Sequence, residues 1–528
     1  MNTPEVYKPQ NHIRIVTAAS LFDGHDAAIN IMRRILQASG AEVIHLGHNR
    51  SVQEVVDCAI QEDVQAIAIT SYQGGHIEYF KYMFDLLKER ECGHIRIFGG
   101  GGGVILPLEI KELHEYGIAR IYSPDDGREM SLQGMINDLL IRCDFPVGNQ
   151  DKFDLGKVHD KDYKEIAGLI SAAENYPEKS RSLFDEIAKL AEEKHIPVLG
   201  ITGTGGAGKS SLVDEIVRRF LTDLPDKTMA IISIDPSKRK TGGALLGDRI
   251  RMNAIFNPRV YMRSLATRQS NLALSKYVKD AINVAKLAEF DLVIVETSGI
   301  GQSDTEIVDH SDVTLYVMTP EYGAASQLEK IDMLDFADLV AINKFDKRGA
   351  LDALRDVKKQ YQRNHKTFDQ PVEEMPVYGT VASQFNDPGV NELYRAIIRM
   401  ILAKTSISLP TRFESQVEVA EKIFIIPPSR TRYLAEIAET VRNYNHWTAA
   451  QAKVAQRLYG IAQTIETLTS THPDGVHHPD GVKSSSNRTG MLLELDLLFE
   501  QTLKQLDPQN HDIIKNWNHK VRSYQDEF

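Results

Sequence analysis

The chain has 528 residues, of which 42% are hydrophobic and 25% charged, with three cysteines and a formal net charge of −12. That length is too great for a single hydrophobic core and predicts two to four globular domains, while the acidic balance argues against a general nucleic-acid binder, which normally presents a basic face. The widely separated cysteines argue against a zinc or iron–sulfur site. Without a signal-like N-terminus or an apolar run of about 18 residues, we expect a cytoplasmic protein with no membrane span.

The first predicted domain, residues 10–145, alternates short apolar runs with stretches of helical spacing. The predicted strands are residues 13–16, 42–45, 66–69, 95–98 and 120–122, and the predicted helices cover residues 27–39, a stretch from Ser51, and residues 79–90. Strands with helices between them indicate a doubly wound parallel sheet of the α/β class. Ligands of such sheets lie beyond the carboxyl ends of the strands, where the loops 23–28, 71–76 and 99–103 follow.

The loop after the first strand places Asp23 two residues before His25. An imidazole on a short loop can ligate the cobalt of a corrinoid when the cofactor's own base is displaced, and a carboxylate on its other nitrogen would hold the ring in place. The displaced base needs a slot between small residues, which Ser71 and the glycine run that begins with Gly99 and Gly100 would provide. Because Asp-x-His is a weak signal alone, phosphate binding of a flavodoxin-like or Rossmann kind is the alternative, although no G-x-G-x-x-G with a following acid supports it.

Residues 146–195 are polar and helical and predict a connector to the next domain, residues 196–409. The predicted strands of that domain are residues 197–201, 229–234, 291–295, 313–318, 339–342 and 376–379, a second parallel sheet. The first of them is followed by G-x-x-x-x-G-K-[ST], whose glycines let backbone N–H groups turn inward onto phosphates. The predicted phosphate loop consists of Gly203, Gly205, Gly206, Ala207, Gly208, Lys209 and Ser210. Lys209 would reach the β- and γ-phosphates as a catalytic residue, and the Ser210 hydroxyl would bind Mg²⁺.

The base is predicted from Asn343, Lys344 and Asp346, which follow an apolar strand. A carboxylate can accept hydrogen bonds from both guanine N1–H and the exocyclic amine, a donor pair that adenine lacks, so the motif predicts GTP. N-K-x-D is a weak match alone, but it is specific at this distance behind a phosphate loop. Small residues at 379–383 would let the backbone approach the guanine oxygen.

Further charged residues are predicted to complete the nucleotide site. Glu296 ends an apolar strand at the position where such proteins hold Mg²⁺ and is a second catalytic candidate. Asp235 and Asp248 are candidate Mg²⁺ ligands, directly or through water. Arg251 follows Asp248 in a glycine-rich segment, residues 242–252, that we expect to be the mobile switch. There it is either a phosphate clamp or a surface arginine. Gln302 is the candidate for orienting the hydrolytic water, although a glutamine at this place is often structural.

The last segment, residues 410–528, loses the strand pattern. Helical spacing occurs at residues 415–424, 433–446, 449–467 and 491–505. A polar loop between the last two repeats His-Pro-Asp-Gly-Val at residues 472–476 and 478–482. Paired histidines could bind a metal, but Pro-Asp-Gly turns followed by serines favour a connector. We therefore expect a helical linker that docks a partner.

The chain resembles the N-terminal part of the fused isobutyryl-CoA mutases, which has a flavodoxin-like cobalamin-binding domain, a P-loop G-protein domain similar to the chaperone of methylmalonyl-CoA mutase, and a helical linker. The matching stretches are residues 20–27, 46–52, 71–76, 99–104, 121–127, 203–210, 242–252, 296–302 and 343–346. The resemblance implies that His25 is the lower axial ligand of adenosylcobalamin and that Arg251 and residues 343–346 contact GTP. It also implies a Mg²⁺ set of Ser210, Asp235, Asp248, Glu296 and Thr297.

The sequence departs from the family's pattern in its cobalamin signature and in one missing domain. Ala28 stands where a glycine is usual and Gln73 stands where a leucine is usual, which would change how the cofactor's tail lies without touching the cobalt ligand. The acyl-CoA-binding barrel that should follow the linker needs about 200–250 residues or more, whereas only a short tail follows Asp507. We therefore expect the barrel to be a separate subunit or to have been removed from the chain.

The sequence thus predicts a GTP-hydrolysing chaperone and adenosylcobalamin-binding part of an acyl-CoA mutase system, which gates cofactor loading onto a mutase barrel. An adenosyltransferase is a further candidate partner, and we expect a homo-oligomer. Three alternatives stay open at this point: a cobalamin-responsive sensor GTPase, a corrinoid methyl carrier with a reactivating NTPase, and a plain GTPase whose first domain binds no cofactor.

Overall fold

The computed structural model describes residues 4–150, 152–268, 274–299, 304–323, 325–411, 432–470 and 484–525. These residues belong to two compact units, Met1–Lys422 and Ile423–Phe528. The strands are β1 Arg14–Ser20, β2 Glu42–Arg50, β3 Ala66–Thr70, β4 Arg96–Gly100, β5 Arg120–Tyr122, β6 Val198–Gly203, β7 Met229–Asp235, β8 Ala244–Leu246, β9 Val260–Ala266, β10 Leu292–Glu296, β11 Val313–Met318, β12 Leu339–Asn343 and β13 Val377–Thr380. The helices are α1 Ala27–Ala38, α2 Val52–Gln61, α3 His76–Glu89, α4 Pro107–Tyr116, α5 Pro124–Cys143, α6 Leu155–His159, α7 Tyr163–Asn175, α8 Pro177–Glu192, α9 Lys209–Asp223, α10 Val278–Leu287, α11 Ala325–Leu328, α12 Ala350–Asn364, α13 Pro388–Thr405, α14 Tyr433–Ser470, α15 Ser484–Leu503, α16 Pro508–Lys515 and α17 Trp517–Ser523.

The first sheet has the strand order β5-β4-β3-β1-β2-β8 and is parallel throughout. Every residue of β1 and β3 is buried, as expected for a parallel sheet covered on both faces. Its first five strands follow the flavodoxin-like order, in which ligands bind where the connections change direction, here between β1 and β3. The predicted sheet is confirmed, with β8 as an additional edge strand.

Local sequence explains where the helices of this domain begin. Ser51 accepts a hydrogen bond from the backbone N–H of Glu54, and the Glu54 carboxylate accepts one from the backbone N–H of Ser51. Ser123 and Asp126 form the same reciprocal cap at the start of α5. Such caps satisfy N–H groups that a helix leaves unpaired at its start, so α2 and α5 begin directly after their strands.

The second sheet has the order β13-β12-β11-β6-β10-β7-β9 and is also parallel. The six predicted strands are present, and β9 is a seventh. Arg263 and Ser264 interrupt the apolar run of β9, although both are buried, so hydrophobic patterning alone did not indicate a strand there. The predicted fold class, two doubly wound parallel sheets followed by helices, is confirmed.

The connector packs onto this second sheet. Ile166 and Ile170 of α7 and Ile187 of α8 belong to the same buried cluster as Val293 and Val295 of β10. All residues of α7 from Ile166 to Glu174 are buried. The polar stretch that the sequence suggested as a bridge therefore includes a largely buried helix that completes the core of the second domain.

Strand β8 joins the two domains. It lies in the glycine-rich segment expected to be the switch of the nucleotide domain, yet it pairs in parallel with β2 of the first sheet, with Ala244 opposite Glu42 and Leu246 opposite Ile44. The Ala244 N–H donates to the Ala41 carbonyl at 3.2 Å. A Cβ on the preceding Gly243 would lie 2.1 Å from the Gln37 carbonyl oxygen, so only glycine allows this approach to the end of α1.

A fully buried carboxylate, Glu62, lies between the domains. Its oxygens are 2.6 Å from Arg14 Nη2 and 2.8 Å from Arg249 Nε, and they accept a hydrogen bond from the Ser264 N–H at 3.0 Å. Burial would raise the pKa of Glu62, but the Arg249 and Arg14 guanidiniums outweigh it and lower that pKa. One carboxylate thus holds together β1, the switch segment and β9.

Further ion pairs extend this cluster. Glu42 lies 2.6 Å from Arg14 Nη1 and 2.8 Å from Arg268 Nε, and Arg263 Nη2 lies 2.7 Å from Glu174 of α7. Burial would raise the pKa of Glu42, but Arg268 and Arg14 lower it to about 2. These ion pairs connect the first domain, the connector and the nucleotide domain through largely buried side chains.

The described residues of the second unit are largely helical, as predicted. Residues 433–446 and 449–467, expected as two helices, belong to the single helix α14, and the expected helix at 491–505 corresponds to α15. The predicted helix at 415–424 and the repeats at 472–482 lie outside the described residues. In the part of the chain that the structure describes, no helix is long and apolar enough to cross a membrane.

Replacing Glu62 with alanine tests the buried cluster. Because Arg14 and Arg249 would keep their charges without a partner, we expect the free energy of unfolding to fall by about 3–5 kcal/mol. Urea unfolding followed by circular dichroism measures this. As a control, Glu115→Ala, which removes an exposed carboxylate paired at 3.8 Å with Lys111, should change it by less than about 0.5 kcal/mol. Equal midpoints for the two variants would contradict this account of Glu62.

Candidate functional site

The predicted phosphate loop runs from the end of β6 to the start of α9. Gly203 has φ +147°, and a Cβ on it would lie 1.9 Å from the Val317 carbonyl oxygen. Gly208 has φ +89°, and a Cβ on it would lie 2.6 Å from Asn343 Nδ2. Both positions therefore require glycine, which brings the loop against β11 and β12 and leaves the N–H groups at the start of α9 facing outward for an anion.

Lys209 lies beneath this loop. Its Nζ donates to the Gly203 carbonyl at 3.0 Å, and a Cβ on Gly299 would lie 2.2 Å from the same nitrogen. Gly299 thus stands against the lysine that is expected to reach the β- and γ-phosphates. A side chain at position 299 would displace the amine.

The candidate Mg²⁺ ligands meet around the Ser210 hydroxyl. Ser210 Oγ lies 2.9 Å from Glu296 Oε1 and 3.1 Å from Asp248 Oδ1. The Ser233 hydroxyl donates to the other Asp248 oxygen. Asp235 accepts a hydrogen bond from the Gly247 N–H at 3.0 Å, which joins the end of β7 to the switch segment. Strand ends and the switch therefore supply hard oxygen donors to one place.

These carboxylates repel one another in a buried setting. Burial first, and then the charge of Asp248, raises the pKa of Glu296 well above its ordinary range. The same two causes raise the pKa of Asp235 to about 8. Glu296 Oε2 is buried and has no hydrogen-bond partner. A divalent cation would neutralise this excess negative charge and coordinate the unpaired oxygen.

The residues present fit Mg²⁺ together with a nucleotide. Among the described residues, no group of three or more His, Cys, Asp or Glu side chains could hold a metal ion by itself. Mg²⁺ is usually bound through one or two carboxylates plus substrate phosphates and water, so the nucleotide would complete the coordination.

The structure brings most of the predicted nucleotide residues around one cavity of about 110 Å³. The predicted residues that line it are Gly205, Gly206, Gly208, Lys209, Ser210, Asp235, Asp248, Arg251, Glu296 and Thr297. Ser211, Ile234 and Ser298 also line it and were not predicted. The Thr297 hydroxyl is 2.7 Å from that of Thr202, so this threonine contacts the protein as well as the cavity. Gln302 lies outside the described residues.

The predicted base-recognition residues lie beside the phosphate loop and do not line that cavity. Asn343 is buried and bridges two segments, since its Nδ2 donates to the Ala207 carbonyl at 2.8 Å and its Oδ1 accepts from the Ala382 N–H at 3.1 Å. Lys344 Nζ donates to the Gly206 carbonyl at 2.8 Å. Asp346 is exposed. The first two residues shape the loop, and the third points a carboxylate at solvent.

The second candidate site is the loop between β1 and α1. Asp23 is buried, with Oδ1 2.8 Å from His25 Nδ1 and Oδ2 accepting from the Tyr72 N–H at 2.6 Å. Burial would raise the pKa of Asp23, but the backbone N–H groups of Tyr72 and His25 lower it. The His25 side chain is 76% exposed. A carboxylate that accepts from Nδ1–H leaves the outward Nε2 with its lone pair available to a metal.

The same domain contains an apolar cavity of about 320 Å³, which Ala28 and Tyr72 line and His25 does not. Gly99, Gly100, Gly101 and Gly102 line one side, whereas Ser71 does not line it. Ser71 is instead buried and its Oγ accepts from the Ser20 hydroxyl at 2.9 Å. A Cβ on Gly99 would lie 2.4 Å from the Phe80 ring and one on Gly101 would lie 2.0 Å from the Ser71 carbonyl oxygen, so these glycines allow close packing at the end of β4. The apolar lining of the cavity fits a flat aromatic group such as the nucleotide tail of a corrinoid.

Several parts of this site were not identified from the sequence. The Tyr72 ring stands 5.6 Å from the His25 ring. The far wall of the cavity comes from Met32 of α1 and from Met135 and Ile136 of α5. Apolar residues at helical spacing look the same whether they face a core or a ligand cavity, so no sequence signal distinguished these.

Comparison with known proteins identifies both halves of this arrangement. Residues 13–124 match the family described as B12 binding domain. Residues 166–426 match the family described as Methylmalonyl Co-A mutase-associated GTPase MeaB. The two matches contain the His25 loop and the phosphate loop, respectively.

Curated relatives cover both domains together. Fused isobutyryl-CoA mutase of Geobacillus kaustophilus is 55% identical over 98% of this chain and 47% of its own length. The protein of that name from Cupriavidus metallidurans is 59% identical over 85% of this chain and 41% of its own length. The protein of that name from Nocardia farcinica is 46% identical over 98% of this chain and 46% of its own length. The chain thus spans about half the length of the curated relatives it matches.

The crowded carboxylates predict a pH-dependent affinity for Mg²⁺. Since the pKa of Asp235 is raised to about 8, protons compete with the cation below that pH. We expect the dissociation constant for Mg²⁺, titrated calorimetrically into the GDP-bound protein, to fall by up to about tenfold between pH 7 and pH 9. Asp235→Asn should abolish most of this dependence. A pH-independent constant in the wild-type protein would refute the prediction.

Proposed function

We propose that this chain gates the loading of adenosylcobalamin onto an acyl-CoA mutase barrel through GTP hydrolysis. Residues 13–124 match the B12 binding domain and residues 166–426 match the MeaB GTPase, and fused isobutyryl-CoA mutases match both domains together. The observation that supports this most directly is the exposed His25 imidazole, whose Nδ1 lies 2.8 Å from the buried Asp23 carboxylate. Its ring lies 5.6 Å from that of Tyr72, a residue that lines the apolar cavity. In the complete system the cofactor supplies a carbon radical through homolysis of its Co–C bond.

In the first domain, the geometry supports a set of proposed cofactor contacts. His25 Nε2 would ligate cobalt, and Asp23 would fix the ring and its tautomer. Gly99 and Gly100 would flank the displaced base, and Tyr72 would cover it near the histidine. Ser71 would act indirectly, since its buried hydroxyl bonds Ser20 at the end of β1.

In the second domain, the proposed roles divide between phosphate, metal and base. Lys209 would neutralise the β- and γ-phosphates, and the phosphate-loop N–H groups would cradle them. The proposed Mg²⁺ contacts, direct or through water, are Ser210, Asp235, Asp248, Glu296 and Thr297. Arg251 lines the same cavity from the switch segment and would clamp phosphate. Gln302 stays our candidate for orienting water.

We propose the domain boundaries 10–145, 146–195, 196–409 and 410–528, with the last region docking the mutase barrel. Three relatives of this chain are named fused isobutyryl-CoA mutase, which supports a mutase barrel as the partner in this system too. An adenosyltransferase that supplies the cofactor, self-association into a homo-oligomer and a cytoplasmic location complete the proposal. The GTPase cycle would gate loading because switch segments contact their surroundings differently when the γ-phosphate is present and when it is absent.

The proposed cobalt ligand can be tested by electron paramagnetic resonance of bound cob(II)alamin. A lower-ligand nitrogen splits the cobalt lines into triplets for ¹⁴N and doublets for ¹⁵N. We expect doublets when ¹⁵N-labelled protein binds unlabelled cofactor, because His25 donates the nitrogen. His25→Ala should remove the doublets, whereas His48→Ala, an exposed histidine of the same domain, should keep them. Triplets in the labelled wild-type protein would show that the cofactor retains its own base.

Base selection can be tested with Asp346→Asn. An amide donates where the carboxylate accepted, so the variant should bind GTP about 10–100-fold more weakly, since each lost bond to a charged group is worth about 1.5–3 kcal/mol. It should gain affinity for xanthosine triphosphate, whose 2-oxo group accepts a hydrogen bond. Fluorescent-nucleotide titration measures both. Asp352→Asn, whose carboxyl group is exposed on α12, is the matched control and should leave GTP binding unchanged.

A further inference from the structure

The switch segment, residues 242–252, is shared between the two candidate sites. Its first part is β8, the edge strand of the first sheet. Its last part is a 3₁₀ turn, Asp248–Arg251, whose residues line the nucleotide cavity at both ends. A segment that changes with nucleotide state in the proposed function therefore contributes a strand to the domain that holds the other cofactor.

Successive residues of this turn face different domains. Asp248 lies beside Ser210 and Glu296 at the nucleotide site. Arg249 is 99% buried and reaches Glu62 of the first domain at 2.8 Å. Ile250 packs on Gly47 of β2, where an added Cβ would lie 3.0 Å from its side-chain carbons. Because the backbone joins these residues directly, a shift of Asp248 strains the Glu62 ion pair and the contact with Gly47.

Strand β2 continues this connection to the histidine loop. Beyond Gly47 it carries Asn49, whose side-chain oxygen accepts a hydrogen bond from the Phe22 N–H at 2.8 Å. Phe22 immediately precedes Asp23 and His25 in the chain. The end of β2 thus contacts the switch on one side and holds the backbone of the proposed cobalt-ligand loop on the other.

We propose that nucleotide and cobalamin are coupled within this chain, without a mutase barrel, through residues 248–250, strand β2 and the Asn49–Phe22 hydrogen bond. Glu62 and Arg249 are the positioning residues that join Asp248 to the first domain. This inference rests on the proposed function, because it assumes that the two sites bind the two ligands. Beyond that function, these residues would connect the two sites directly, so the coupling would need no partner protein.

Coupling of this kind is reciprocal and can be measured by binding alone. Adenosylcobalamin is titrated into the wild-type chain by visible absorbance, with and without Mg²⁺ and a non-hydrolysable GTP analogue. We expect the two dissociation constants to differ by about fivefold or more, the lower end of typical coupling. The analogue's dissociation constant, measured with and without adenosylcobalamin, must change by the same factor.

Two substitutions interrupt the route at exposed positions, where we expect the fold to tolerate a change of side chain. Ile250→Ala removes the contact with Gly47 from a side chain that is 41% exposed. Asn49→Gly removes the hydrogen bond to Phe22 and keeps the backbone φ of +56°, which glycine adopts readily. Leu402→Ala is the matched control for Ile250→Ala, since Leu402 is 48% exposed on α13, away from both sites. Each variant should still bind both ligands, and only the first two should bring the coupling ratio close to one.

The possible results separate this inference from the proposed function. A ratio near one in a wild-type chain that binds both ligands would overturn the inference and leave the proposed function standing. A wild-type ratio that survives in both Ile250→Ala and Asn49→Gly, or that is lost equally in Leu402→Ala, would overturn the route. A wild-type chain that fails to bind adenosylcobalamin would overturn the proposed function, and the inference with it.

Discussion

The Glu62 carboxylate constrains everything else in the first unit. It is fully buried between two domains and is neutralised by Arg14 from one and Arg249 from the other. Separating the domains would expose or strand these charges, and a buried charge without its partner costs several kcal/mol. The arrangement of the domains is therefore tied to an ion cluster, and that cluster includes the residue next to Asp248. Domain geometry and the nucleotide site consequently share one set of interactions.

The two candidate sites use the same structural device for different chemistry. In each, a loop leaves the carboxyl end of a central parallel strand, and glycines let the backbone come close to a ligand. At the phosphate loop, Gly203 and Gly208 allow the backbone turn that would present N–H groups to an anion. Carboxylates beside the loop would bind a cation. In the first domain, Gly99 and Gly100 line an apolar cavity, and Asp23 orients the His25 imidazole. Electrostatics governs the first site, and shape together with one fixed ring governs the second.

Motifs with rigid local geometry could be predicted from the sequence, and elements defined by distant pairing could not. The phosphate loop was identifiable because its glycines, lysine and serine are adjacent and stand between a strand and a helix. Strand β9 was missed because Arg263 breaks its apolar run, and this buried arginine pairs with Glu174 of α7, far from it in the sequence. Charged residues inside otherwise apolar strands, such as Arg14 and Arg263, are the signal that could have suggested a buried ion cluster.

The linear order of residues was sufficient for the fold class, the two ligand signatures and the assignment of His25, Lys209 and Ser210 as candidates, since each depends on neighbours a few positions away. Folding determined that β8 leaves the nucleotide domain to pair with β2, that Arg249 pairs with Glu62, and that Asn343 bridges the phosphate loop to residue 382. These contacts join residues up to about two hundred positions apart, and their strength depends on burial, which arises only when the chain has excluded water from the space between them.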